Sequence, residues 1–250
     1  MKSSKTEKQP LDISSIDQDL AQCFFRDERE LLGYKQEVYD SHLIDALEEK
    51  AEEFGQTTVG QTDRGYAYEL ADIGIEAGLY LYSLIRKLKP ETAVETGVCN
   101  GFSTAFLLLA LAKNQKGKLY SLDFPEVAGT NYEDGTFWQG KRGAVIPQGK
   151  APGWVIPELL KSRWELILGK SQDKLPELLE RLGAIDFFFH DSEHSYECMW
   201  FECQEAYPVL REGGMMIFDD ITWNQAFQNF ARDKNKKIIY IGKDLGFIIK

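Results

Sequence analysis

The adjacent pair Asp219-Asp220 directly follows a short apolar run, Asp191 follows another after His190, and Glu193 and His194 stand just beyond Asp191. Carboxylates gathered without a counter-charge repel one another, and an all-oxygen set of this kind suits Mg²⁺ or Ca²⁺ better than zinc. Histidine exchanges a proton near neutral pH, so His194 is a candidate general base, with Glu193 as its rival. The competing reading makes Asp191 and Asp219 N-caps of the helices that follow them, a common use of Asp. The doubled acid at Asp219-Asp220 favours the metal, while His190, ending an apolar run, reads as structural.

A second group lies upstream, in TAVETGVCNGFSTAFLLLALA from Thr92 to Ala112. A short apolar strand runs into Glu95-Thr96-Gly97, and Gly101 precedes a helix opening with Ser103 and Thr104. Glycine lets a ligand approach the backbone where a Cβ would intrude, and the helix start favours an anionic group. The spacing Gly97-x-x-x-Gly101 lacks the middle glycine of the dinucleotide fingerprint. Asp123 ends the next strand, where one carboxylate can accept a hydrogen bond from each of two ribose hydroxyls. Ser171 either caps a helix or touches a ligand base, and its local chemistry favours the cap.

The elements that must position these residues alternate. Strands are expected at Thr92–Val94, Gly117–Asp123, Trp164–Leu168, Ile185–Phe189 and Met215–Phe218. Helices are expected from Asp63 to Leu88, after Gly101, from Leu175 to Leu182, after Tyr196 to Leu210, and around Trp223 to Arg232. A hairpin of Ile238–Ile241 and Phe247–Ile249 closes the chain. This is an α/β pattern: a mostly parallel sheet with one antiparallel strand from the hairpin. In such a sheet ligands bind beyond the carboxyl ends of the strands, so Glu95 to Gly97, Asp123, Gly169 to Gln172, Asp191 and Asp219-Asp220 collect along one edge. Residues 124–163, rich in Gly, Pro and aromatic residues, form an insertion of the length used for lids and substrate walls. Residues 1–62 form an N-terminal arm, polar at first and then helical, placed either over the substrate end or against a second subunit. The remainder, 63–250, is one domain.

Composition narrows the partners. The chain has 250 residues, 43% of them hydrophobic, enough for one substantial core. Its 40 acidic against 29 basic residues give a net charge of -11, which argues against nucleic acid. Cys23, Cys99, Cys198 and Cys203 show neither C-x-x-C nor zinc spacing and read as reduced thiols. Neither a signal peptide nor a membrane span is found, which makes a cytoplasmic location the expectation.

The ordered set ETGVCNGFST, SLDF, LILGKSQDKLP, IDFFFHDSEHSYE and LREGGMMIFDD resembles the class I S-adenosylmethionine-dependent methyltransferases. The nearest pattern is that of small-molecule O-methyltransferases of catechol and sugar or macrolide type, methyltransferase family 24-like, over Asp63 to Lys250. The resemblance implies a Rossmann-like, seven-stranded, mostly parallel sheet with an antiparallel last strand and helices on both faces. It implies S-adenosylmethionine as cofactor, with Glu95, Gly97 and Gly101 shaping its turn, Ser103 at the methionine carboxylate and Asp123 at the ribose. Ser171 and Gln172 would flank the adenine, Ile73 would lie near the carboxylate, and Asp191 would border the cofactor. Asp191, Asp219 and Asp220 match the ligands of a divalent metal, in the family mostly Mg²⁺. Where catechol enzymes carry a lysine base this chain has His194, and where some sugar enzymes carry an aspartate it has Glu193. The expected reaction is O-methylation of a small molecule, with no membrane partner and a homodimer formed through the arm. The rivals are a nicotinamide-dependent oxidoreductase, a non-catalytic cofactor-binding domain and a metal-dependent hydrolase.

Overall fold

The structure, a computed structural model, describes residues 14–58, 74–127 and 145–250. Seven strands form one sheet. They are β1 (Thr92–Thr96), β2 (Lys118–Asp123), β5 (Trp164–Leu168), β6 (Ile185–His190), β7 (Leu210–Phe218), β8 (Ile239–Ile241) and β9 (Leu245–Ile249), while β3 (Glu126–Val127) and β4 (Val145–Ile146) pair separately. The order is β5-β2-β1-β6-β7-β9-β8, parallel except for β9, which runs antiparallel to both its neighbours. The reversal at β1 is the switch point where such sheets open a crevice.

Two-residue periodicity divides the core. Phe187 and Phe189 of β6 face one layer with Met215 and Ile217, and Phe188 faces the other with Met216 and Phe218. Strands buried on both sides carry apolar runs, as Phe187–Phe189 does beyond the partly exposed Asp186, and each such buried side chain contributes roughly 1.5–3 kcal/mol. On the first face lie α4 (Gly74–Leu88) and α5 (Phe102–Asn114), packed so closely that a Cβ on Gly78 would stand 2.6 Å from the Phe106 ring. The helix expected from Asp63 begins at Gly74, and residues 63–73 lie outside those described. On the second face lie α6 (Ser171–Leu182), α7 (Tyr196–Val209) and α8 (Ala226–Asp233). The last helix is shorter than expected and leaves Trp223 in the preceding turn.

Helices α1 (Ser15–Cys23), α2 (Glu28–Asp40) and α3 (Leu43–Thr58) make up the described part of the arm. Leu20, Leu31, Val38, Leu43 and Leu47 are buried in the chain's own first-face core. A buried Lys35–Asp17 pair at 2.5 Å joins α2 to α1, and Glu37 joins α2 to Tyr82 and Arg86 of α4. Among the described residues no helix is long and apolar enough to cross a membrane.

Candidate active site

The strand ends are locked in register by rungs that continue past the strands. Gly97 N donates to Leu122 O (2.8 Å), Asp191 N to Thr96 O (2.8 Å), Asp219 N to His190 O (3.0 Å) and Gly169 N to Asp123 O (2.9 Å). The five strand ends named by the sequence therefore share one edge, as expected of the carboxyl ends of parallel strands.

On the β2 side the central feature is Asp123. Its carboxylate accepts from the backbone N–H of Val98, Cys99 and Phe124, while Oδ2 is buried with no hydrogen-bond partner among the described residues. Burial pushes its pKa up to about 6 against those donors. A buried acceptor left open is costly unless a ligand fills it. Glu95, fully buried beneath the turn, accepts from Ser121 (2.7 Å), Thr104 (2.9 Å) and Ser103 (3.2 Å), and burial still raises it to about 7. Glu95 thus ties the start of α5 to β2 from below, and the Ser103 hydroxyl points inward at it, leaving backbone N–H groups at the helix start for a ligand.

The two glycines do more for the protein than the sequence suggested. A Cβ on Gly97 (φ 86°) would fall 1.9 Å from the Asp191 carbonyl oxygen, and one on Gly101 (φ 95°) would fall 2.6 Å from Gly153 Cα. It is neighbouring chain, rather than a ligand alone, that demands glycine here. Residues 150–156 of the insertion dock on the turn: Gly153 N donates to Cys99 O (2.9 Å), Val155 N to Asn100 O (3.2 Å) and Trp154 Nε1 to Asn100 Oδ1 (2.6 Å). Trp138, another aromatic residue of the insertion, lies outside the described residues.

The β6–β7 side gathers the acids. Asp191 is raised well above the ordinary carboxylate range by burial, then by the charges of Asp219, Glu95 and Asp220, and it shares a hydrogen bond with Asp219. Burial also raises Asp219, against the Asp220 backbone and the nearby His190. Asp220, in the left-handed region at φ 50°, is pushed to about 6 by burial and by Asp219 and Asp244. His194 Nε2 lies 3.6 Å from Asp220 and 3.9 Å from Asp191, and its Nδ1 is buried without a partner among the described residues. The donor set is oxygen-rich and short of positive charge, which suits a hard cation. Among the described residues, however, no three acidic, histidine or cysteine side chains are arranged so that they could hold a metal ion, and Asp191 and Asp219 share a hydrogen bond instead.

Several local expectations change. Neither Asp191 nor Asp219 caps a helix, because α7 is capped by Ser195 and α8 begins after Gln225. Ser171 is the first residue of α6 rather than its cap; its hydroxyl and the Gln172 amide both face Cys198 Sγ, at 3.7 and 3.4 Å. His194 precedes α7, and burial with the neighbouring His190 pushes its pKa to about 3, so it does not take up a proton near neutrality as expected. Ile73 lies outside the described residues. Sequence reasoning missed two residues. Trp223 is 68% exposed on the rim with its ring 5.3 Å from that of His194, and Glu202 is wholly buried behind the site. The only signal for Glu202 was an acid on the helix face that carries Cys198 and Ala206, one turn to either side.

A methyltransferase-domain family profile, Methyltransf_24, matches residues 94–221, just over half of the chain. The chain belongs to the methyltransferase-domain family. This methyltransferase also shares its fold with SAH-bound methyltransferase PaMTH1 of Podospora anserina, at 15% identity and a TM-score of 0.52 over 82% of this chain and 87% of that one. An O-methyltransferase of Bacillus cereus in complex with SAH gives 15% identity and a TM-score of 0.50, covering 95% and 98%. The O-methyltransferase NovP gives 17% and 0.52, covering 71% and 81%. No curated protein matches the sequence.

Proposed function

We propose that this methyltransferase transfers a methyl group from S-adenosylmethionine to a hydroxyl of a small molecule, with a divalent cation, Mg²⁺ by its chemistry, held by Asp191, Asp219 and Asp220. The observation that carries the reading is the open, buried Oδ2 of Asp123 one strand away from the turn at Gly97. That oxygen suits a ribose hydroxyl, and similar folds titled as SAH-bound support the same cofactor.

In this reading Gly97 and Gly101 shape the turn and Glu95 braces it. The backbone at Ser103 receives the carboxylate, and Ser171 and Gln172 border the adenine, while Asp191 faces both cofactor and metal. S-adenosylmethionine supplies a methyl group on a positive sulfur, and a cation supplies a Lewis acid that lowers the pKa of a hydroxyl. The chain's own residues do the rest. Asp191, Asp219 and Asp220 would hold the cation, and the acceptor oxygen would be oriented beside them for in-line attack. His194 enters unprotonated and open to a proton, though its depressed pKa makes it a weak acceptor; Glu193, two residues beyond Asp191, is the alternative base. Trp223 offers an aromatic wall on the acceptor side.

The test is calorimetric binding of S-adenosylhomocysteine, followed by S-adenosylhomocysteine release with a panel of catechols, glycosides and aliphatic alcohols, with and without EDTA. Tight binding and EDTA-sensitive turnover are expected. Turnover indifferent to EDTA would remove the cation, and absence of binding would remove the cofactor.

A further inference from the structure

Behind the acids stands a carboxylate for which the reaction has no direct use. Glu202, on α7, is 0% exposed, and both its oxygens are doubly engaged. Oε2 accepts from Thr96 Oγ1 at 2.6 Å and pairs with His190 Nδ1 at 2.7 Å. Oε1 accepts from Ser192 Oγ at 2.9 Å and from the Cys198 thiol at 3.6 Å. The donors come from three places: the last residue of β1, the end of β6 with its following turn, and α7 itself. Through Cys198 the same cluster reaches Ser171 and Gln172 at the start of α6.

Thr96 immediately precedes Gly97, and His190 and Ser192 flank Asp191. The Gly97 Cα and the Asp191 carbonyl are in contact, with no room for a Cβ between them. Each of these two turns is therefore held from beneath by the same side chain. A buried charge with fewer donors would be destabilising, whereas one with every lone pair filled fixes geometry strongly. An apolar residue at this helix position would not link the turns at all.

We infer that Glu202 is a positioning residue that sets the cofactor turn and the Asp191 turn relative to one another, so that the affinity for the cofactor depends on it. The inference rests on the reading that this edge binds the adenosyl cofactor. It requires no contact between Glu202 and any ligand.

S-adenosylhomocysteine is the probe, with its Kd measured by calorimetry and melting temperature recorded for each variant of the full chain. Glu202→Gln keeps length but puts an amide NH₂ against two donors, and about a tenfold weaker Kd is expected while the fold persists. Thr96→Val and Ser192→Ala each remove one hydroxyl and are expected to weaken Kd about threefold. Thr96→Val should add little once Glu202→Gln is present, since the pair acts as a unit. Unchanged Kd in the two hydroxyl variants, with only melting temperature lowered, would mean a purely structural role and overturn the inference; these variants decide the matter even where Glu202→Gln fails to fold. Wild-type protein that binds no S-adenosylhomocysteine would overturn the cofactor reading and this inference together. Binding by wild type and equally by all variants would overturn this inference alone.

Discussion

On the β2 side of the cleft nearly every polar atom has its partner. Glu95 takes three hydroxyls and Asp123 three backbone N–H groups, and one oxygen is left open. On the β6–β7 side Asp191, Asp219 and Asp220 face one another and His194, whose pKa burial depresses to about 3. The first flank satisfies its carboxylates with donors of the chain itself, whereas the second sets carboxylates against one another with little positive charge nearby. On the proposed reading, a single edge of one sheet thus separates holding the donor from activating the acceptor.

The sharpest break of this contrast is Asp219→Ala. Methyl transfer is expected to fall about a thousandfold or more while the Kd for S-adenosylhomocysteine stays within about threefold, as read by single-turnover assay and calorimetry. Gly97→Ala should damage both flanks at once, because its Cβ would fall 1.9 Å from the Asp191 carbonyl at a φ of 86°. A loss of about 3–4 kcal/mol in urea unfolding is expected. Asp123→Ala should act only on the first flank, weakening S-adenosylhomocysteine about a hundredfold for two lost charge-assisted hydrogen bonds.

A pH series sharpens the contrast further. Asp123 and Asp220 titrate at about 6 and Glu95 at about 7, all above their unfolded values. The native state therefore binds these protons more tightly, and the stability they contribute, complete below about pH 4, is lost as pH rises through 6 to 7. The ligand-free protein should melt a few degrees lower at pH 7.5 than at pH 5.5 in scanning calorimetry. Asp123→Asn should remove part of that slope from the first flank, and Mg²⁺ should remove part from the second. The smallest effect expected is from Trp154→Phe, which deletes the hydrogen bond to Asn100 and should cost about 1 kcal/mol in urea unfolding.

What could be read in advance followed from chemistry local to the chain. Phe187–Phe189 announced a strand buried on both faces, and Asp123, Asp191 and Asp219 announced themselves by standing at or just past the ends of strand-like runs. The hairpin at the C-terminus correctly supplied the one reversed strand, because its two runs are joined by too short a turn to be parallel. Properties that arise from burial were hidden. Histidine at position 194 looked like a neutral-pH base, yet enclosure beside His190 depresses its proton affinity. Ser171 looked like a cap because capping is a local pattern, but its hydroxyl faces Cys198, 27 residues later. Glu202 and Trp154 could not be placed at all, since their partners come from elements that meet only in the folded sheet.

The grip of Gly153, Trp154 and Val155 on Cys99 and Asn100 has a consequence for how such an enzyme can diverge. A crossover falling between Lys150 and Ile156 would disturb the turn at Gly97 to Gly101 that this stretch braces, and chimeras cut inside it should be the ones that fail.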